Sequence, residues 1–144
     1  MAASQPTPAQ KLAPHEGRVL SAQEVMRGAD GVLHLAAMKC ADCDTRVFPP
    51  SDTCPTCLGT TVAPLPVQGA GTLYSYTTVH IAPQQWQTPY VLGYVDFPEG
   101  VRVFGKVKAQ PAQLKTDLTV TVELTEVAVP EQGTTAYRYC FVPA

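Results

Sequence analysis

From Gly69 to the end of the chain, apolar and polar positions alternate with a period of two, and Gly or Pro breaks the pattern at short intervals. Successive side chains on a strand point to opposite faces, so this period predicts half-buried β-strands. Residues 71–81, Gly-Thr-Leu-Tyr-Ser-Tyr-Thr-Thr-Val-His-Ile, are rich in β-branched and aromatic types and lie between glycines and Pro83. Residues 90–97 predict a second strand, closed by a tight turn at Pro98-Glu99-Gly100. In a third, Val101, Val103, Gly105 and Val107 alternate with Arg102, Phe104, Lys106 and Lys108, which gives one buried face and one wet face. Leu118, Val120, Val122 and Leu124 mark a fourth strand. Tyr137, Tyr139 and Phe141 mark a fifth, after a turn at Gly133.

Five strands with no helical period after residue 70 predict a small closed or partly closed barrel. An OB-fold fits the strand number and size, and an SH3-like barrel fits the period nearly as well. Closure also removes the open edges that a chain this rich in valine and threonine would otherwise expose.

The first seventy residues read differently. Met1 to Pro14 is an Ala-, Pro- and Gln-rich segment that cannot bury enough apolar surface to order itself, and it reads as a tail or as an arm that orders on a partner. Ser21-Ala-Gln-Glu24 has the form of a capping box, followed by Val25-Met26. A helix of about two turns is expected there, ended by Gly28 and the Asp30-Gly31 pair. Residues 32–38 then run extended, and Pro64 and Pro66 carry an extended connector into the barrel. The expected organisation is a mainly β protein: a flexible tail and short helix over 1–31, a ribbon over 32–66 and a five-stranded barrel over 67–144.

Chemistry concentrates in the ribbon. Cys40-Ala-Asp-Cys43 and Cys54-Pro-Thr-Cys57 are two Cys-x-x-Cys pairs ten residues apart. Each pair can form one knuckle around a tetrahedral ion, and four thiolates around zinc make a closed structural site with no open position for substrate water. Phe48-Pro49-Pro50 suits a short hairpin between the knuckles. The alternatives are two disulfides or a redox-active pair. No secretory leader is visible to favour disulfides, and Pro55, Gly59 and Pro64 oppose the helix that a thioredoxin-type centre needs. Zinc is expected, with iron as the residual choice.

Composition narrows the function classes. With 45% apolar and 15% charged residues the chain is globular, and no run approaches the ~20 apolar residues of a membrane span. The cytoplasm is the default compartment. The formal charge is −2, and four thiolates around a divalent ion would take it to about −4. Ten Lys and Arg are scattered over the length, which disfavours a nucleic-acid binder.

Several residues invite a sharper reading. Gly100 to Lys106 imitates the front of a phosphate loop, but Val107 stands where Ser or Thr is needed and the interior is a strand. His15, His34 and His80 have no Ser or Cys at nucleophile spacing, and Cys140 sits among alternating aromatics as a buried apolar residue. Trp86 lies on a polar, proline-flanked loop. It either caps a barrel end or anchors a partner subunit or an adenine. Arg102, Lys106 and Lys108 share one strand face, which is either plainly solvated or aimed at phosphates.

In order along the chain, Cys40-x-x-Cys43, Phe48-Pro49-Pro50, Cys54-Pro-x-Cys57, Gly69-x-Gly71-Thr-Leu-Tyr-Ser-Tyr-Thr77, Pro89-Tyr90 and Glu99-Gly100-Val-Arg102 resemble a known family. These are the small acyl-CoA-associated proteins that join a rubredoxin-like zinc ribbon to an OB-fold, and the resemblance covers roughly residues 38–142. It implies a non-catalytic accessory subunit within a hetero-oligomer, paired with a thiolase-fold large subunit or with a hydratase or aldolase acting on CoA thioesters. It implies structural zinc at Cys40, Cys43, Cys54 and Cys57, and a coenzyme A ester as ligand of the complex. Trp86, Arg102 and Lys106 are the candidate substrate-binding residues, with no membrane partner. The chain departs from the family at Ser51 and Ala70, where relatives often carry a basic residue. The rival reading is a stand-alone module for single-stranded nucleic acid that stacks bases on Tyr74, Tyr76 and Phe104.

Overall fold

The computed structural model describes residues 18–19, 22–27, 29, 31, 33–84, 86–129 and 134–144. The tail at 1–14, His15, Ser21, Gly28, Asp30 and the turn at Gly133 lie outside the described residues. The chain divides into two compact units, one of the described residues up to Val67 with Leu124–Arg138, the other of Gln68–Glu123 with Tyr139–Ala144.

In the first unit, β1 (Arg18–Val19) pairs in parallel with the chain at Ala136 and Tyr137. β2 (Val25–Arg27), β3 (Leu33–Cys40), β4 (Arg46–Val47) and β5 (Val62–Val67) form a small sheet centred on β3. β5 runs along one edge of β3, while β2 and β4 share the other. The segment that the prolines predict as a connector is therefore a strand. Pro64 and Pro66 are two residues apart, so both missing N–H groups fall on the same side of β5. They do no harm on an edge strand whose other side carries the ladder to β3.

The helix expected after the capping box is not formed. Ala22–Glu24 makes a single 3-10 turn, and the chain is already a strand at Val25. Two turns of helix cannot hold themselves in water. As a strand, Val25 stands opposite Leu35, and both are fully buried. Tertiary pairing thus overrides the local start signal.

In the second unit lie β6 (Gly71–Val79), β7 (Tyr90–Asp96) and β8 (Arg102–Val107), with parts of β9 (Thr119–Val129) and β10 (Thr134–Pro143). β6, β7 and β8 form an antiparallel meander. β10 joins β8 in parallel at Phe141↔Val107, β9 pairs with β6, and β9–β10 pairing closes the barrel. The five strands are the ones the period predicts. Leu73, Val95, Val103, Val120 and Phe141 fill the interior, each fully buried. Gly105 has no side chain because a Cβ there would lie 2.9 Å from the rings of both Tyr139 and Phe141.

Candidate metal centre and barrel face

The two cysteine knuckles are built alike. Asp44 N–H donates to the Cys40 carbonyl at 3.0 Å, and Leu58 N–H donates to the Cys54 carbonyl at 2.9 Å. Cys40 N–H reaches the Thr45 carbonyl, as Cys54 N–H reaches that of Gly59. The residue after each second cysteine takes φ of 61°, at Asp44 and at Leu58, which folds the chain back under the sulfur. Gly59 completes the second knuckle, since a Cβ there would press on the Asp42 carboxylate at 3.0 Å and on Cys57 Sγ at 3.3 Å.

The four Sγ atoms lie within 4.8 Å of one another, with Cys40–Cys57 and Cys43–Cys54 each at 3.6 Å. A disulfide would need about 2.05 Å. Four sulfurs at about 2.3 Å from a central zinc would stand about 3.8 Å apart in a tetrahedron, so the spacing fits zinc. The charges fit as well. The Thr45 hydroxyl, 3.0 Å from Cys43 Sγ, lowers that thiol. The Cys57 N–H leads a set of donors that brings Cys54 down to about 6. At Cys57 the Gly59 N–H pulls down, but the crowding Cys40 and Cys43 sulfurs outweigh it, and the thiol is pushed up to about 12. Four sulfurs this close cannot all ionise without a cation among them. Lys39, 3.0 Å from Asp44, and Arg46, 3.9 Å from it, add positive charge beside the first knuckle.

On the barrel, Arg102 and Lys106 face outward on β8, as the alternation predicts. The cross-strand register then assigns them different neighbours. Arg102 stands opposite Asp96 and grips it with two hydrogen bonds of 2.6 and 2.9 Å, while its guanidinium lies 3.8 Å from the centre of the Tyr74 ring. The guanidinium beside Asp96 holds that carboxyl below the usual range. Lys106 makes no ion pair among the described residues, and its ammonium lies 6.0 Å from the Tyr90 ring. Trp86, 56% exposed, meets the same Tyr90 at 5.9 Å between ring centres. Trp86 and Lys106 therefore converge through Tyr90, next to an open cavity of about 210 Å³ that Gln87, Pro89 and Lys108 help to line. Lys108 also stands 3.6 Å from Glu123.

Sequence reasoning gives Tyr90, Tyr94 and Asp96 no part in a site, because their roles come from the strand opposite them. It also places Tyr76 beside Tyr74. A bulge between Leu73 and Ser75 shifts the phase, so Ser75 stands opposite exposed Tyr94 and Tyr76 opposite buried Gly93. Tyr76 then reaches the Leu114 carbonyl with its hydroxyl at 3.3 Å. His34 is buried in β3, His80 is exposed beyond β6, and Cys140 is fully buried. Burial, with Glu123 nearby, pushes the Cys140 thiol up to about 11, so it stays protonated at neutral pH.

A tetrathiol ribbon and a five-stranded barrel in this strand order define a zinc-ribbon and OB-fold protein. Residues 29–63 match the ChsH2 rubredoxin-like zinc ribbon domain and residues 65–125 the ChsH2 C-terminal OB-fold domain. The chain belongs to this ChsH2 family. It is 31% identical over 114 residues to the benzoylsuccinyl-CoA thiolase subunit BbsA of Thauera aromatica, covering 78% of this chain and 79% of that one. It is 30% identical to a DUF35 domain-containing scaffold protein of Methanocaldococcus jannaschii, covering 76% and 81%. Among solved structures it is similar to the Ltp2-ChsH2(DUF35) aldolase, with 28% identity and a TM-score of 0.60 over 76% of this chain and 84% of that one. No helix among the described residues is long and apolar enough to cross a membrane.

Proposed function

We propose that this chain is a non-catalytic, zinc-binding accessory subunit of a heteromeric thiolase-type enzyme acting on acyl-CoA thioesters in the cytoplasm. The observation that carries this reading is the likeness to a thiolase subunit across most of both chains. Cys40, Cys43, Cys54 and Cys57 hold structural zinc. With those thiols committed and Cys140 buried and protonated, the nucleophile belongs to a thiolase-fold large subunit.

The accessory chain contributes one end of the CoA-ester site at Trp86, Tyr90 and Lys106, where an aromatic face and a cation lie together. Arg102, already neutralised by Asp96, suits a phosphate less well. Magnitude limits this share: sites that enclose a drug-sized ligand span about 300–1,000 Å³, and the cavity here is about 210 Å³. It can hold a base or a phosphate, and the rest of the ester must lie on the partner.

Two results are expected. The isolated chain turns over no acyl-CoA, and thiolysis by the partner-free protein would remove the accessory reading. In the assembled complex, Lys106→Ala raises KM for the CoA substrate roughly tenfold with kcat little changed, as the loss of one charge-assisted contact predicts. An unchanged KM would move the ester away from this end of the barrel.

A further inference from the structure

The outer face of β6–β8 carries more exposed aromatic surface than a solvated sheet needs. Tyr74, Tyr94 and Phe104 are each about half exposed, and Tyr94 and Phe104 stand opposite each other with ring centres 4.9 Å apart. Arg102 packs over Tyr74 at the border of this row and is locked to Asp96. We propose that this face is a protein-docking surface, whose aromatic row receives an apolar, uncharged patch of the catalytic subunit. The inference rests on the accessory-subunit reading and names the surface that reading leaves open.

Three observations choose the occupant. Aromatic residues with arginine are the composition of interface centres, where desolvated rings supply most of the binding energy. The border charge is internally cancelled: a phosphate chain on these rings would meet a guanidinium already holding a carboxylate, on a chain of net charge −2. Stacked nucleic acid needs a run of free cations along its backbone, and β8 offers only Lys106 beside these rings, so a protein fits better than a single strand. Finally, Phe104 lies two residues from Lys106 on the same face of β8. A partner seated on the aromatic row would therefore lie beside the cavity that is too small for a CoA ester, where it could supply the missing wall.

The test uses the full chain purified from its native host, with co-purifying proteins identified by mass spectrometry. Phe104→Glu places a charge at an exposed position of the row, and Thr121→Glu places one at an exposed position on β9 as a control. The wild type and Thr121→Glu should retain an acyl-CoA-processing subunit, while Phe104→Glu loses at least about tenfold of that retention with zinc content and melting temperature unchanged. Tyr94→Ser repeats the test without added charge, should Phe104→Glu disturb β8. Full retention by both row variants would overturn the docking surface and leave the accessory reading standing. If the wild type retains no such subunit, the accessory reading fails and this inference falls with it. The inference is also overturned if the row variants instead abolish self-association of the chain or its binding to single-stranded DNA.

Discussion

Cys54→Ser leaves the protein without its metal and with its ribbon unfolded. Cys54 is fully buried and holds one corner of the sulfur cluster 3.6 Å from Cys43. Serine offers no thiolate there, and three cysteines do not close a tetrahedral zinc site. The loss is large because little else supports this part of the chain. The core cluster around the sulfurs is Met38, Cys40 and Cys54, with Val47 and Val62 half-buried against them, so two of the three buried residues of that cluster are cysteines of the metal centre. Structural zinc contributes about 10–16 kcal/mol of apparent binding energy in such modules, and that energy is folding energy. Wild-type protein should carry about one zinc per chain by elemental analysis, Cys140→Ser should carry the same, and Cys54→Ser should carry almost none and fall out of solution. Full zinc in soluble Cys54→Ser would show that the ligands are misassigned.

Phe141→Ala destabilises the barrel by about 3–5 kcal/mol, the usual cost of removing a buried ring. Phe141 is fully buried, with Phe97 at 6.0 Å and Tyr139 at 5.9 Å between ring centres, and it stands on β10 opposite Val107. That parallel pairing of β10 with β8 is part of what closes the barrel, so the cavity opens where the closure is made. Collapse around it is restricted because Gly105 and Tyr139 already pack against the ring. Urea unfolding of the barrel should show the loss as a lower midpoint with the zinc content kept. A change below about 1 kcal/mol would mean that the ring is not central to the core.

What could be read directly from residue order was whatever depends on short spans of chain. A Cys-x-x-Cys pair brings two sulfurs together through its own backbone, so the four cysteines could be named as a set before any fold was known. The five barrel strands were legible because the period of two is a property of each strand alone, and β8 buries Val103 and Val107, with Val101 buried just before it, as the alternation predicts. That alternation also says that Arg102, Phe104 and Lys106 share a face, and they do.

Everything that depends on which strand lies opposite which was decided by the tertiary structure. The capping box at Ser21 signals a helix start, yet Val25 pairs with Leu35 as a strand, because burial against β3 outweighs a helix too short to stand alone. Arg102 and Lys106 look equivalent along β8. Across the sheet one meets Asp96 and the other Leu92, so the first is neutralised and the second is left beside Tyr90 and Trp86. Tyr74 and Tyr76 look like one platform until a single bulged residue turns Tyr76 to the other face. Local spacing determined the cysteine cluster and the strands; register, which arises only when distant segments pair, decided which charges are paired and which rings share a face.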